Sequence, residues 1–491
     1  MDDRDEPGPV RQPGIAQLRS DYLIGRATPA EVIERTLDVI RSRGDDGTWI
    51  TLLEPTTLRR RAAELADTDP AAMPLYGIPF GVKDSIHVAG VPTTLACPDY
   101  ASVPNRTAPA VQRLLDAGAI LVGKTNLDQF ATGLNGTRTP YTVPRSVYGR
   151  SLISGGSSSG SALAVASGEV PFALATDTAG SGRVPAALNG IVGFKPSRGL
   201  VSTVGLVPAC RSLDCMSLMA GSVDDVAAVF DVVVGPDDQD PWSRPRGPAA
   251  RTPDAVRVGL PDPAALEFFG DDRMRAAHLV ARSVMAQAFE CVPVDVGPFL
   301  EAGTLLYQGP WVVERVVEFG DFVASHPGST LPVITAILQS AQKYTAADVF
   351  RAQYRLQALK ARAAHLWTTM DVLVLPTIGT TFTVEEVLAE PIACNTRLGH
   401  YTHAGNLLDL CAAAIPCGAT SDGRPAGVML LGPAGSDDLV LEVAGRVLAS
   451  SRPPTVDDTG SALRAVVPAA VGPPVAEQAW GPTYPVPSTR S

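Results

Sequence analysis

The 491-residue chain is short of histidine, of paired cysteines, of positive charge and of any long apolar run, and each shortage excludes something. It has six histidines, and the two that stand three apart, His400 and His403, lack a cluster of further ligands. No metal site and no cofactor are therefore expected. Seven cysteines at 97, 210, 215, 291, 394, 411 and 417 form no C-x-x-C pair. Their odd number and scatter fit reduced, mostly buried thiols in a cytosolic protein. Forty Lys+Arg against 51 Asp+Glu leave a net charge of −11. That removes the basic face that nucleic acid or an anionic membrane needs, and neither is expected as a partner. No stretch reaches the roughly 18 apolar residues that span a bilayer. The most apolar long window, 161–175, is interrupted by Glu169 and Pro171. The opening MDDRDEPGP lacks the basic-then-apolar layout of a secretory leader, so a cytoplasmic location is expected.

What is present reads as a globular α/β protein. Residues 1–13 look disordered, and 14–451 read as one domain. Its first part is mostly helical, with a helix start at Thr28-Pro29. From about 75 to 235 short apolar runs alternate with helical patterns. GIPFGVKD, AILVGKT, FALATDT and GIVGFKP read as strands, and TAPAVQRLLDAGA and SGSALAVASGE as helices. Residues 235–254 are a proline-rich linker or surface loop. A helix-rich segment over about 271–370 follows, read as an insertion into one sheet. Strands return at DVLVLPT and AGVMLLGP, with a closing helix at 436–450. Residues 452–491, rich in Pro, Val and Ala, read as a tail.

Residues 118–125, GAILVGKT, match the phosphate-loop pattern GxxxxGK[ST] letter for letter. The four variable residues are Ala-Ile-Leu-Val, which prefer a buried strand to a loop curled around an anion. Nucleotide binding is not expected. Two polar loops carry a better signal. SGGSSSGSALAVASG (154–168) is either a flexible linker or a hydroxyl-rich loop feeding a helix N-terminus. ATDTAGSGRVP (175–185) sets Ser181 between two glycines at the end of an apolar run. One helix and one strand separate the loops, so both can meet at one side of a sheet. Upstream, YGIPFGVKDSI places Lys83 directly after a strand-like run. A lysine there is a surface residue, a partner of Asp84, or a desolvated amine whose lowered pKa lets it take a serine proton.

GIPFGVKD, GKTNLDQFATG, SGGSSSGSALAVASG and ATDTAGSGRVPAALNGIVGFKPSRG occur in the order found in the amidase signature family, and over residues 20–450 the chain resembles those serine hydrolases. The resemblance implies an amidase signature fold: a large mixed β-sheet covered by helices on both sides, with a helical insertion. It implies a Ser–cis-Ser–Lys triad with Lys83 as base, Ser157 as bridging serine after a cis peptide, and Ser181 as nucleophile. The backbone N–H groups of Thr178, Ala179, Gly180 and Ser181 are the implied oxyanion hole. Asp177 and Arg183 are expected to pair and hold that loop. A homodimer is a further expectation from the family.

Within the family, VPACRSLDC (207–215), LLYQGPWVVER (305–315) and RLGHYTHAGNLLDLC (397–411) resemble the amidase domain of allophanate hydrolases. That resemblance implies Tyr307 and Arg315 as holders of a substrate carboxylate and Gly133 as part of the acyl pocket. From the residues alone, Arg315 could instead pair with Glu318 on a solvated face. His87, Asn135 and YTHAGNLL depart from the subfamily pattern, and a counterpart of its smaller C-terminal domain is not expected within these 491 residues. The expected activity is hydrolysis of a small linear amide, allophanate first, with another amide or an acyl hydrazide as alternative. A tRNA-dependent amidotransferase subunit shares the fold and is the more distant reading.

Overall fold

Eleven segments form strands. They are β1 (Trp49–Leu52), β2 (Pro79–Lys83), β3 (Ile120–Thr125), β4 (Phe172–Asp177), β5 (Val192–Lys195), β6 (Cys215–Ala220), β7 (Arg257–Pro261), β8 (Glu290–Val294), β9 (Val372–Pro376), β10 (Leu410–Ala419) and β11 (Pro425–Pro433). In the computed structural model, which describes residues 13–247 and 255–450, they form one sheet. The order is β1-β3-β2-β4-β6-β5-β10-β11-β9-β7-β8. The sheet is mixed: β2 runs parallel to β3 and β4, while β4–β6, β6–β5, β5–β10 and β10–β11 are antiparallel. This is the α/β architecture expected from the sequence.

Alternate residues of the strands enter two separate apolar clusters. Val374, Ala413, Val428 and Leu430 belong to one, and Leu373, Leu375, Ala412, Met429 and Leu431 to the other. Because successive strand residues point to opposite faces, the sheet has apolar packing on both sides. That is why its central strands read as unbroken apolar runs rather than as alternating ones. The edge strands β1 and β8 are only partly buried.

The helix after Thr28 spans Pro29–Arg43 and starts with a capping box between Thr28 and Glu31, as the local sequence dictates. The phosphate-loop letters are strand β3, and its Lys124 is ion-paired with Asp84 at 3.1 Å. The stretch 271–370 carries the long helices Asp272–Ala288 and Ala346–Leu366, but also β8, which pairs with β7 at the sheet edge. Residues 235–247 are tethered: Asp240 accepts from Thr203 N and Oγ1, and Arg244 grips Asp409. Residues 1–12 of the segment read as disordered, 248–254 of the loop and the tail from 452 lie outside the described residues. Among the described residues no helix is long and apolar enough to cross a membrane.

Candidate active site

β2 and β4 are parallel neighbours, so Lys83 at the end of one and Thr176-Asp177 at the end of the other emerge at the same sheet edge. Between them in sequence lies the serine-rich loop, which runs into the helix Ser159–Ala166 packed on β2, β3 and β4. The peptide between Gly156 and Ser157 is cis. The two glycines before Ser157 are needed for close approach: a Cβ on Gly156 would collide with Asp128 Oδ2, and one on Gly155 would lie 2.9 Å from Pro185 Cα. The loop is a built polar site, not a linker.

Three side chains form a continuous line. Lys83 Nζ is 2.8 Å from Ser157 Oγ, and Ser157 Oγ is 2.9 Å from Ser181 Oγ. All three residues are buried. Lys83 Nζ also donates to Thr176 Oγ1 at 2.7 Å, a partner near the end of β4 that sequence reasoning misses although it lies five residues before Ser181. Asp84 is not the partner of Lys83, because its carboxylate is taken by Lys124 and Thr94. Burial lowers the Lys83 amine to about 7, against the pull of Asp128, Asp214 and Asp177. Near neutral pH a large fraction of Lys83 is therefore uncharged and able to accept a proton.

The loop that presents Ser181 is held from within. Asp177 accepts from Gly180 N, Gly182 N and both Nε and Nη2 of Arg183, all at 2.8–3.0 Å. The Asp177–Arg183 pair expected from the sequence is thus present and fully buried. Burial pushes the Asp177 carboxyl up, but the charge and hydrogen bonds of Arg183 more than offset it and hold it below the usual range. The same loop corrects the expected oxyanion hole, because the Gly180 N–H is turned to Asp177 Oδ1 and is not an open donor. The N–H groups of Thr178, Ala179 and Ser181 have no acceptor among the described residues. Two further clamps, Thr402 Oγ1 on Ala179 O and Asn406 between Arg183 and Asp177 O, come from more than two hundred residues downstream. No local signal in the sequence could have assigned them.

Arg315 does not lie on a solvated face. It is fully buried, with Nη1 3.0 Å from Cys210 Sγ and Nε 3.2 Å from Thr132 Oγ1, while Glu318 pairs with Arg211. Thr132 precedes Gly133, so the structure brings Arg315 and the Gly133 loop together. A Cβ on Gly133 would collide with Asp128 Oδ2, so the loop packs against that carboxylate. Tyr307 ends the helix Gly297–Tyr307, and its side chain lies outside what the structure describes. Asn135 bonds Asn395 and Thr137 beside this loop. His87 is half-buried within reach of the Lys124 charge, and burial together with that charge lowers its pKa.

Residues 31–441 match the amidase family. The chain belongs to the amidase family. Among its relatives in that family, the urea amidolyase of Lachancea kluyveri is 41% identical over 432 residues, 86% of this chain and 24% of that protein. The chain thus spans about a quarter of the length of the urea amidolyases it matches. The allophanate hydrolase structure of Kluyveromyces lactis superposes with a TM-score of 0.85 at 39% identity, covering 90% of this chain and 73% of that one. A glutamyl-tRNA(Gln) amidotransferase subunit of Symbiobacterium thermophilum is 32% identical over 87% of this chain and 95% of its own length.

Proposed function

We propose that this amidase hydrolyses a small linear amide, that allophanate (urea-1-carboxylate) is its substrate, and that Lys83, Ser157 and Ser181 carry the reaction. The observation that carries the reading is the buried line of three atoms at 2.8 and 2.9 Å, ending in an amine lowered to about 7. The relatives named above support the choice of substrate.

Ser181 Oγ attacks the amide carbonyl while its proton passes to Ser157 Oγ, whose own proton passes to neutral Lys83 Nζ. The oxyanion takes N–H donors from Thr178, Ala179 and Ser181, each worth about 3 kcal/mol in a dry, fixed site. Collapse breaks the C–N bond, and the Lys83 proton returns through Ser157 to the departing ammonia. Water then attacks the acyl-enzyme by the same relay and releases the acid. Arg315 supplies the fixed positive charge for the carboxylate of allophanate, near the loop of Gly133.

A neutral amide or acyl hydrazide is the second reading. It is favoured by one observation: the Arg315 guanidinium already donates to Cys210 and Thr132. Allophanate-dependent ammonia release by the purified protein separates the two. Release that malonate suppresses competitively is the expected result. No release from allophanate, with turnover of a neutral amide, would replace the substrate and leave the chemistry standing.

A further inference from the structure

Asp214 takes no part in the relay, yet it is buried beside the loop that presents Ser181. It directly precedes β6, and the β4–β6 register pairs Asp177 with Cys215, so the next step of the antiparallel ladder sets Asp214 beside Thr178. Its Oδ1 accepts from Thr178 Oγ1 at 2.5 Å. Its Oδ2 accepts from Ala209 N at 2.8 Å and Cys210 N at 3.1 Å. Cys210 in turn offers its sulfur to Arg315. Both oxygens are therefore filled by donors, which leaves Asp214 no role as a proton acceptor from substrate and suits it to a structural charge.

We propose that Asp214 is a positioning residue for the oxyanion hole, fixing Thr178 and the N–H groups that follow it to the 209–215 loop on which Arg315 rests. The inference rests on the reading of Ser181 as nucleophile. Preorganised donors stabilise a transition state only if their geometry is fixed before the charge develops, and a shift of about 1 Å is enough to lose much of the effect. Thr178 is the first of the three open donors, and its side chain is anchored on Asp214, while Asp177 fixes Gly180 and Gly182 further along. Burial raises Asp214 to about 6, opposed first by the Thr178 hydroxyl bond, with the Arg315 charge among the lesser pulls.

The test uses a fluorophosphonate that labels Ser181, a reaction that needs the nucleophile and the oxyanion donors but not the natural substrate. Thr178→Val removes the hydroxyl at constant shape, Asp214→Ala removes its partner, and Thr178→Ser keeps the bond. The expected result is a labelling rate down tenfold or more in Thr178→Val and in Asp214→Ala. The double variant should fall no further, and Thr178→Ser should stay within threefold of wild type. With an amide substrate the loss should appear in kcat, with KM within threefold. Wild-type labelling by Thr178→Val, effects that multiply in the double variant, or a loss confined to KM would each overturn the inference. If Asp214→Ala does not fold, the two Thr178 variants decide it alone. Wild-type protein that is unlabelled at Ser181 overturns the nucleophile reading and this inference together, whereas wild type that labels but releases no ammonia from allophanate overturns the substrate only.

Discussion

Two buried lysines stand at neighbouring strand ends, Lys83 on β2 and Lys124 on β3, and the sheet register sets Val82 against Lys124 and Lys83 against Thr125. Each follows a short apolar run, and each is completely shielded from solvent. Their partners differ. Lys124 meets the Asp84 carboxylate at 3.1 Å, Thr93 Oγ1 and Pro92 O. Lys83 meets two hydroxyls, and the carboxylates that pull on it, Asp128, Asp214 and Asp177, are not in ion-pair contact. Burial lowers both amines, and at Lys124 the contact with Asp84 opposes it. Burial alone, then, does not make a base. A buried ammonium with a carboxylate is a structural pair, whereas a buried amine among hydroxyls is available for proton transfer.

The contrast between the two lysines is most exposed at the catalytic end. Ser181→Ala should remove turnover, and Lys83→Ala should lower kcat by about 10²–10⁴, the range of a general base, with an unfolding transition still cooperative. Retention of more than a tenth of wild-type kcat by Lys83→Ala would remove it from the relay, since that is a barrier change under about 1.4 kcal/mol. Next comes the structural end. Asp84→Asn leaves Lys124 buried without its counter-charge and should cost about 3–5 kcal/mol in denaturant unfolding. A cost under about 1 kcal/mol would mean that the pair contributes little and the two lysines are less different than their contacts imply.

The pH profile tests the same contrast more finely. The amine of Lys83 is depressed, so its neutral, active form grows as pH rises through about 7 and saturates above it. The log of kcat/KM should therefore climb by one unit per pH unit below about 7 and then flatten. A profile that falls with rising pH over this range contradicts a lysine base. The smallest expected effect lies at the substrate end. Arg315→Lys keeps the charge but loses the planar fork, and should raise KM for allophanate about tenfold while leaving kcat within a few-fold. Malonate inhibition should weaken in parallel. A KM unchanged by this substitution would point to the neutral-amide reading.

Local features of this protein are written along the chain. The apolar runs that became β2, β3, β4, β5, β9 and β11 are legible because strands buried on both faces need continuous apolar residues. The capped helix at Thr28, the strand behind the phosphate-loop letters and the Asp177–Arg183 pair are legible for a related reason: short-range sterics and charge decide them. Five strands were not read from the sequence: Ser217 interrupts β6, Arg257 opens β7 and alanines dominate β10, while the edge strands β1 and β8 are partly exposed and tolerate mixed composition. The site itself belongs to the fold. The parallel pairing of β2 with β4 brings Lys83 to Ser157 and Thr176, and the choice of Lys124 rather than Lys83 by Asp84 is settled there too. The Gly180 N–H is spent on Asp177, Arg315 is buried against Cys210, and Thr402 and Asn406 clamp the nucleophile loop from far downstream. Most of these contacts join segments far apart along the chain. Nothing in the neighbourhood of either partner encodes which other segment the sheet will bring against it, so such contacts are fixed only when the whole sheet has assembled.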